Sequence, residues 1–410
     1  MVKIYLLTAW YPFRKTGESF LIPELDYLNK REEFDVTVVA VNPIGGKTPD
    51  QFVPEKMRAI SLFSKKFSTK EKTSLFIKMI GQGAFWKEIQ SLRRKGILNI
   101  SNVRKLVSFY CRSLRIANAM EQQIKHEDGK IVLYSYWMSD TSFGAALLNH
   151  YPNVIAITRT HGGDLYEERN NGYLPMRRTI IENMNMVAPI SNIGTNYLIQ
   201  RNGYYTNIKT FHLGTANPYG QRFINEFNVF RIVSCSYMVP LKRVKMIAEA
   251  IVKLDSEKVE WVHFGDGPDF DEIKSIIENT PTKSKCILMG EKKHDDILEY
   301  YHNNDIYLFV NVSTSEGIPV SIIEAMSFGI PVLATDVGGT KELVINNSTG
   351  FLLPAEIKPV DLAQEIQNFM NIDHNTYSVF RKNAFQMWKD NYNYEINYKC
   401  FYDEIIDILR

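Results

Sequence analysis

The sequence predicts an α/β protein made of two parallel-sheet domains in tandem, and three observations carry that prediction. The chain has 410 residues, more than one hydrophobic core usually serves, so two or three domains are expected. Short apolar runs alternate with stretches of helical periodicity almost from end to end, the pattern of strands joined by crossover helices. One polar stretch, GTANPYGQRFINEF (214–227), interrupts the alternation, and a second series of the same kind follows it.

In the first series KIYLLTA (3–9) reads as a strand, followed by the loop WYPFRKTGES and the helix FLIPELDYLNKR. DVTVVAV (35–41), KIVLYSYW (130–137), NVIAITRT (153–160) and MVAPIS (186–191) are the further strands, with the helix RRTIIENM before the last. Between the second and third of these runs a basic region from about 64 to 126, with Phe76, Ile77 and Ile80, then Val103, Val107, Tyr110 and Leu114, at helical spacing. The second series opens with FRIVSCSYM (230–238) and continues through EWVHFGDG, KCILMGE, DIYLFVNVS and IPVLATDV, with helical patterns between them. The expected domains are 1–214 and 215–385, with 386–410 as a C-terminal helix packing back on the first domain. Ligands of open parallel sheets bind beyond the carboxyl ends of the strands, so the loops there are where chemistry is sought.

Composition narrows the class. Apolar residues make up 45% and charged residues 23% of the chain, ordinary for a globular protein. A net charge of +2 implies no polyanion partner for the whole chain. Between Lys65 and Lys125, however, fourteen Lys and Arg face three acids (Glu71, Glu88, Glu121), a local net of +11. Interleaved with Phe76, Trp86, Phe109 and Tyr110, these cations suit the surface of an anionic membrane or a solvated basic face. No nucleic-acid motif accompanies them. The four cysteines form no C-x-x-C pair, which fits free thiols in a reducing compartment. The N-terminus lacks a signal-peptide pattern and no run of about 18 apolar residues occurs. A cytoplasmic protein is expected, peripheral on the inner face of the membrane if the basic region docks there.

The most informative stretch is SEGIPVSIIEAMSFG (315–329). It follows the strand DIYLFV, so Glu316 and Gly317 fall on a βα loop, with Pro319 in the first turn of the next helix. Amides around Gly317–Ser321 then sit at the positive end of a helix and suit a diphosphate. Glu324, one turn further in, has two acceptor oxygens that match the vicinal hydroxyls of a ribose. Glu316 is placed for a further hydroxylated group. A first-turn charge at Glu316 and a solvent-facing Glu324 would look similar, but Ile322, Ile323, Ala325 and Met326 leave Glu324 only a narrow polar face.

The order strand, E-G-x-P, seven residues between glutamates, then G-x-P-V-x-A-T-x-x-G-G resembles the donor-site signature of retaining glycosyltransferases of family 4. The resemblance covers nearly the whole chain and implies the GT-B fold, two facing Rossmann-like domains with an interdomain cleft. It implies that Glu316 contacts hydroxyls of the donor sugar, that Glu324 binds the nucleotide ribose, and that the amides of Gly317, Ile318 and Val320 hold sugar and phosphates. In ITRTHGGDLYEER (157–169) it makes His161 the residue that approaches the primary hydroxyl of the donor sugar. Asp164 is a weaker candidate, since helix capping explains it equally. Arg159 faces phosphate or acceptor unless strand alternation turns it away.

In CSYMVPLKRVKMIAEAI (235–251) two cations open a helix, an arrangement that an anion between them would stabilise. The family lysine is matched by Lys242. The family arginine is absent, since its position holds Tyr237, and Arg243 is expected to take over its role. The glycines of the family's N-terminal loop are reduced to Gly17, a phosphate contact or a plain turn. Gly265, in the GDG run, and Met289–Glu291 shape base selectivity. Asp269-Phe270-Asp271 spells D-x-D but opens a helix, so capping and dipole pairing explain it. GDGPDF lacks the last glycine of a dinucleotide fingerprint.

No metal-ligand spacing occurs, so metal-independent chemistry without a cofactor is expected. The expected enzyme transfers a sugar from a nucleoside diphosphate sugar, UDP- or GDP-linked, with retention. Its acceptor is a glycan or lipid-linked glycan, in polysaccharide biosynthesis. A nucleotide-sugar epimerase, or a carbohydrate- or nucleotide-binding protein without catalysis, on the same fold is the alternative.

Overall fold

The computed structural model describes residues 1–14, 18–42, 48–221 and 228–410. The chain divides into two compact units, Met1–His212 with Tyr398–Arg410, and Leu213–Asn397. Each is built on one six-stranded parallel sheet with the alternating strands and helices of a Rossmann-like domain.

In the first unit the elements run β1 (Val2–Thr8), α1 (Ile22–Asn29), β2 (Phe34–Ala40), β3 (Arg58–Ser61), α2 (Thr69–Ile80), α3 (Gly83–Arg94), α4 (Ile100–Ile124) and β4 (Ile131–Ser135). They continue with α5 (Asp140–Ala146), β5 (Val154–Thr160), α6 (Arg177–Asn183), β6 (Met186–Pro189) and α7 (Asn192–Asn202). The sheet order is β3-β2-β1-β4-β5-β6. β1 pairs in parallel with β2 (Val2 opposite Phe34) and with β4 (Lys3 opposite Ile131), so the strand order reverses at β1/β4. Every residue of β4 and β5 is buried, as expected of parallel strands covered on both faces.

The basic region folds as α2, α3 and α4. Ser68 caps α2 by accepting from the Glu71 amide at 3.2 Å, the residue pattern of a capping box. The inward stripe of α2 is Leu75 and Met79, so Phe76, Ile77 and Ile80 face outward. The indole of Trp86, on α3, donates to the Ile80 carbonyl at 2.8 Å and joins that apolar surface. Two aromatics of the expected membrane surface lie elsewhere. Tyr110 is fully buried, and Phe109 is partly buried against Phe143. Both sit on the inner side of α4, where the stripe Leu106, Tyr110, Leu114, Ala117, Met120 packs into the core.

In the second unit the order is β7 (Phe230–Cys235), α8 (Val244–Leu254), β8 (Val259–Phe264), α9 (Phe270–Asn279), β9 (Lys285–Leu288), α10 (His294–Asn303), β10 (Leu308–Asn311), α11 (Val320–Ser327), β11 (Val332–Thr335) and β12 (Gly350–Leu353). α12 (Pro359–Met370) and α13 (His374–Asn391) follow. The sheet runs β12-β11-β10-β7-β8-β9, with its reversal at β7/β10. The segment 386–410 is not one helix: α13 ends at Asn391, and α14 (Tyr394–Leu409) starts after a break in which the Asn393 side chain accepts from the Glu395 amide.

Candidate functional site

The loop after β10 is held open by its neighbours. Pro319 stands one residue before α11 rather than inside its first turn, and no described side chain caps this helix. The Ile322 and Ile323 amides turn back to the Pro319 carbonyl. Those of Val320 and Ser321, ahead of them, belong to the set of helix-start donors that have no intrahelical acceptor. The side chain of Ile318 is buried. Two glycines after β11 fix the other side: the Gly339 amide donates to the Gly317 carbonyl at 2.9 Å. Gly338, with φ 51°, lies so close that a Cβ there would stand 1.8 Å from the Glu316 carbonyl oxygen. Only glycine serves at such an approach.

Both glutamates of this segment are buried, Glu316 at 6% and Glu324 at 8% exposure, and each has a basic partner. Lys242 Nζ lies 2.6 Å from Glu316 Oε1, and Asn311 Nδ2 lies 3.5 Å from the same oxygen. Glu324 Oε1 lies 2.9 Å from Nε2 of His294, the first residue of α10. Burial works to lower the His294 pKa, but the charge and hydrogen bond of Glu324 outweigh it and the pKa is raised. Cys235, at the end of β7, is pushed up to about 12 by burial and then by Glu324, so it is a neutral thiol.

Arg243 is differently placed from expectation. Its backbone is left-handed (φ 51°), and Nε donates to the Val312 carbonyl at 2.5 Å and Nη2 to that of Ser313 at 3.3 Å. The guanidinium thus braces the loop that carries Glu316, and burial lowers its pKa. Tyr237 is 61% exposed.

The loops after β7, β8 and β9 are knitted together. Ser236 N donates to Phe264 O, Met238 N to Asp266 O, and Gly265 N to Gly290 O. A Cβ on Gly265 would stand 1.9 Å from the Ser236 carbonyl. Behind them a buried chain of hydrogen bonds links Trp261 Nε1 to Ser234 Oγ (2.9 Å), Ser234 Oγ to His263 Nδ1 (2.7 Å) and His263 Nε2 to Ser236 O (3.1 Å). Burial lowers the His263 pKa to about 4, so the ring is neutral and can donate from Nε2 while accepting at Nδ1. Asp269 precedes α9, but its side chain caps nothing there; Asp271 and Glu272 are the first-turn acids. Among the described residues no group of three or more His, Cys, Asp or Glu could hold a metal ion.

In the first unit His161 follows β5, buried against Trp137 (ring centroids 4.4 Å) and Tyr136 (5.0 Å). Neither ring nitrogen has a hydrogen-bond partner among the described residues. Burial first, and the charge of Arg159 second, lower its pKa to about 3, so the imidazole is neutral and its two nitrogens are available to hydroxyls.

Asp164 caps no helix. Its carboxylate accepts from the His161 amide and from the Met138 amide, each at 2.6 Å, and ties the loops after β4 and β5 together. Arg159 is turned inward, fully buried. Its Nε donates to Tyr134 Oη (2.7 Å) and lies 3.6 Å from Glu24 Oε2, Nη1 donates to the Phe211 carbonyl (2.9 Å), and the Phe401 ring lies 4.0 Å away. It is a core cation paired with buried Glu24, not a ligand contact. Gly17 lies outside the described residues. Its neighbour Glu18 is described, and the carboxylate accepts from the amides of Ala9, Trp10 and Tyr11, each at 2.9 Å, and from Trp137 Nε1 at 2.6 Å.

Residues 222–387 match the family described as Glycosyl transferases group 1. The match supports a glycosyltransferase of group 1. The chain is 23% identical over 246 residues to the UDP-N-acetylglucosamine–peptide N-acetylglucosaminyltransferase GtfA subunit of Streptococcus agalactiae, covering 58% of this chain and 46% of that one. It is 30% identical over 130 residues to the amylovoran biosynthesis glycosyltransferase AmsK of Erwinia amylovora, covering 30% and 32%. The chain thus spans less than half the length of these two curated relatives. A solved glycosyltransferase from Rickettsia africae shares the fold, with a TM-score of 0.72 at 16% identity over 100% of this chain and 98% of that one.

Proposed function

We propose that the protein is a retaining glycosyltransferase, independent of metal and cofactor, that moves a sugar from a UDP- or GDP-linked donor to an acceptor hydroxyl. The single observation that carries this is the constellation after β10. Two buried glutamates stand there, one against Lys242 and one against His294, with uncapped helix-start amides between them. The amides and Lys242 meet the diphosphate, Glu324 meets the ribose, and Glu316 meets the sugar hydroxyls. Lys242 and these donors stabilise the charge of the leaving diphosphate. The acceptor oxygen bonds to the anomeric carbon on the face the diphosphate leaves. The C–O bond to phosphate breaks with its electron pair going to the diphosphate, which also receives the acceptor proton. His161, neutral, serves a sugar hydroxyl.

The relative named for amylovoran biosynthesis supports a growing polysaccharide as acceptor, and the relative named for UDP-N-acetylglucosamine supports UDP as the first base to test. Phe76, Ile77, Ile80 and Trp86 are exposed beside the Lys and Arg of α2 and α3, which supports a peripheral seat on an anionic cytoplasmic membrane face. No described helix is long and apolar enough to cross a membrane. The test is a panel of UDP- and GDP-sugars incubated with and without lipid-linked acceptors. Transfer with retained anomeric configuration and insensitivity to EDTA is expected. An epimerised donor without acceptor, or nucleotide binding without turnover on any of the panel, contradicts the reading.

A further inference from the structure

Glu18 is a buried carboxylate with four donors on it. It stands just ahead of the single turn Ser19–Leu21 that leads into α1. Its Oε1 accepts from the Ala9 amide at 2.9 Å and from Trp137 Nε1 at 2.6 Å, and its Oε2 from the amides of Trp10 and Tyr11, each at 2.9 Å. Successive backbone N–H groups of this kind form a concavity that holds an anion, and here the chain fills it. The Glu18 backbone is left-handed, with φ 59°, a conformation that a residue with a Cβ keeps only where its surroundings impose it. The four bonds, from two separate loops, impose it.

These bonds hold a cluster of rings around His161. Trp137, two residues beyond β4, has its ring centroid 4.4 Å from that of His161, which directly follows β5. Phe20, two residues after Glu18, packs on the same imidazole at 5.5 Å and on Tyr136 and Trp137 at 5.7 and 5.9 Å. Tyr136 is the third wall, at 5.0 Å from the imidazole. Glu18 thus governs two of these walls, Trp137 through the indole N–H and Phe20 through the chain. β1, β4 and β5 are neighbours in the sheet, so one side chain reaches the loops after the first two and, through Trp137, the ring after the third.

The charges around the imidazole are Arg159, which adds to burial in lowering its pKa, and Asp164, which accepts from its backbone amide. Asp164 therefore fixes the backbone of His161. Neither ring nitrogen has a hydrogen-bond partner among the described residues, so the packing of the walls decides where the nitrogens point. We propose that Glu18 is a positioning residue that sets the orientation of the His161 imidazole through Trp137 and Phe20. Its effect on turnover rests on the transferase reading, in which His161 serves a sugar hydroxyl; the coupling of Glu18 to the ring does not.

The test uses the full chain labelled with carbon-13 histidine. The His161 ring resonance, assigned by its loss in His161→Ala, is followed from about pH 5 to about pH 8, the range in which an unperturbed imidazole titrates. In the unaltered chain no titration is expected there, since the pKa is lowered to about 3. In Glu18→Gln an amide nitrogen replaces one acceptor oxygen and faces two donors. The walls loosen, and the ring is expected to titrate toward its ordinary value of ~6.5. Trp137→Phe removes only the indole bond and should give a smaller shift of the same sign, which keeps the test open where Glu18→Gln fails to fold. With a donor that turns over, Glu18→Gln should lower kcat about 10²-fold, the cost of misplacing an acting group by about 1 Å. UDP affinity should be unchanged, and in a His161→Ala background the same substitution should cost nothing further. A His161 resonance unmoved in both Glu18→Gln and Trp137→Phe overturns the proposal. So does a kcat loss of equal size with and without His161, the behaviour of a plain structural staple. Where no donor turns over, the transferase reading fails and the resonance still decides the coupling.

Discussion

The two Rossmann-like units treat the same loops in opposite ways. In the first, the donors at the strand ends are satisfied internally: Glu18 takes the amides after β1, and Asp164 those after β4 and β5. In the second, the start of α11 has no side-chain cap, and the carboxylates that line it pair with Lys242 and His294 rather than with backbone amides. One scaffold thus yields strand-end amides occupied by carboxylates in the first unit and a helix start without a side-chain cap in the second. The difference lies in where a carboxylate sits, on the amides themselves or one turn away.

This comparison can be broken from either side. The largest expected effect is on turnover. Glu316→Ala removes the carboxylate proposed to meet the sugar and leaves Lys242 without its partner, and should cost roughly 10²–10³-fold in kcat with nucleotide affinity little changed. Single-turnover kinetics with the best donor read this directly, and an unchanged kcat refutes the assignment. Next, Glu324→Ala should weaken nucleotide binding by about 1.5–3 kcal/mol, the value of a hydrogen bond to a charged group.

A smaller effect is expected at the membrane. Lys70, Lys72 and Lys87→Gln should each reduce binding to anionic vesicles by about fivefold, from ~1 kcal/mol per cation, and Phe76→Ser with Trp86→Ser should abolish the salt-resistant part. Vesicle flotation that is indifferent to salt and to anionic lipid contradicts it.

A further effect, read on stability rather than on binding or turnover, is the pH dependence, where the two histidines differ in sign. His161 has its pKa lowered to about 3. Between its ordinary value of ~6.5 and that value the unfolded chain binds a proton that the folded chain refuses, so stability falls as pH falls through this window. His294 has a raised pKa, so its contribution is full below ~6.5 and is lost as pH rises through the folded value. Denaturant titrations across pH should show a flatter acid limb for His161→Phe and a flatter limb above pH ~6.5 for His294→Gln. Slopes identical to the unaltered chain would show that neither ring is held as described.

Much of this was legible in the sequence because parallel strands buried on both faces read as continuous apolar runs, as IVLYS and VIAITRT do. The edge strands RAIS (β3) and GFLL (β12) were not, being four residues long and only partly buried. The places of Glu316 and Lys242 on loops at strand ends followed from the sequence motifs, but the ion pair between them did not, because only the fold brings the two loops together. Arg243 misled, and Arg159 was left open between a ligand contact and a turn inward, because a cation near a ligand loop and one bracing a core or a loop have the same letter. The difference is made by Glu24 and by the Val312 carbonyl, far away in sequence. His294 was missed for the same reason: it opens α10, and only the fold brings it to Glu324. Glu18 was hidden because a glutamate beside a glycine in a loop carries no sign that it will accept from three consecutive amides.

The most direct test is calorimetric titration of the full chain with UDP and GDP, comparing the unaltered protein with Glu324→Ala and Glu18→Gln. One nucleotide per chain is predicted, with affinity reduced at least tenfold in Glu324→Ala and unchanged in Glu18→Gln. Undiminished binding in Glu324→Ala, or loss of nucleotide binding in Glu18→Gln, would contradict the division of labour between the two units.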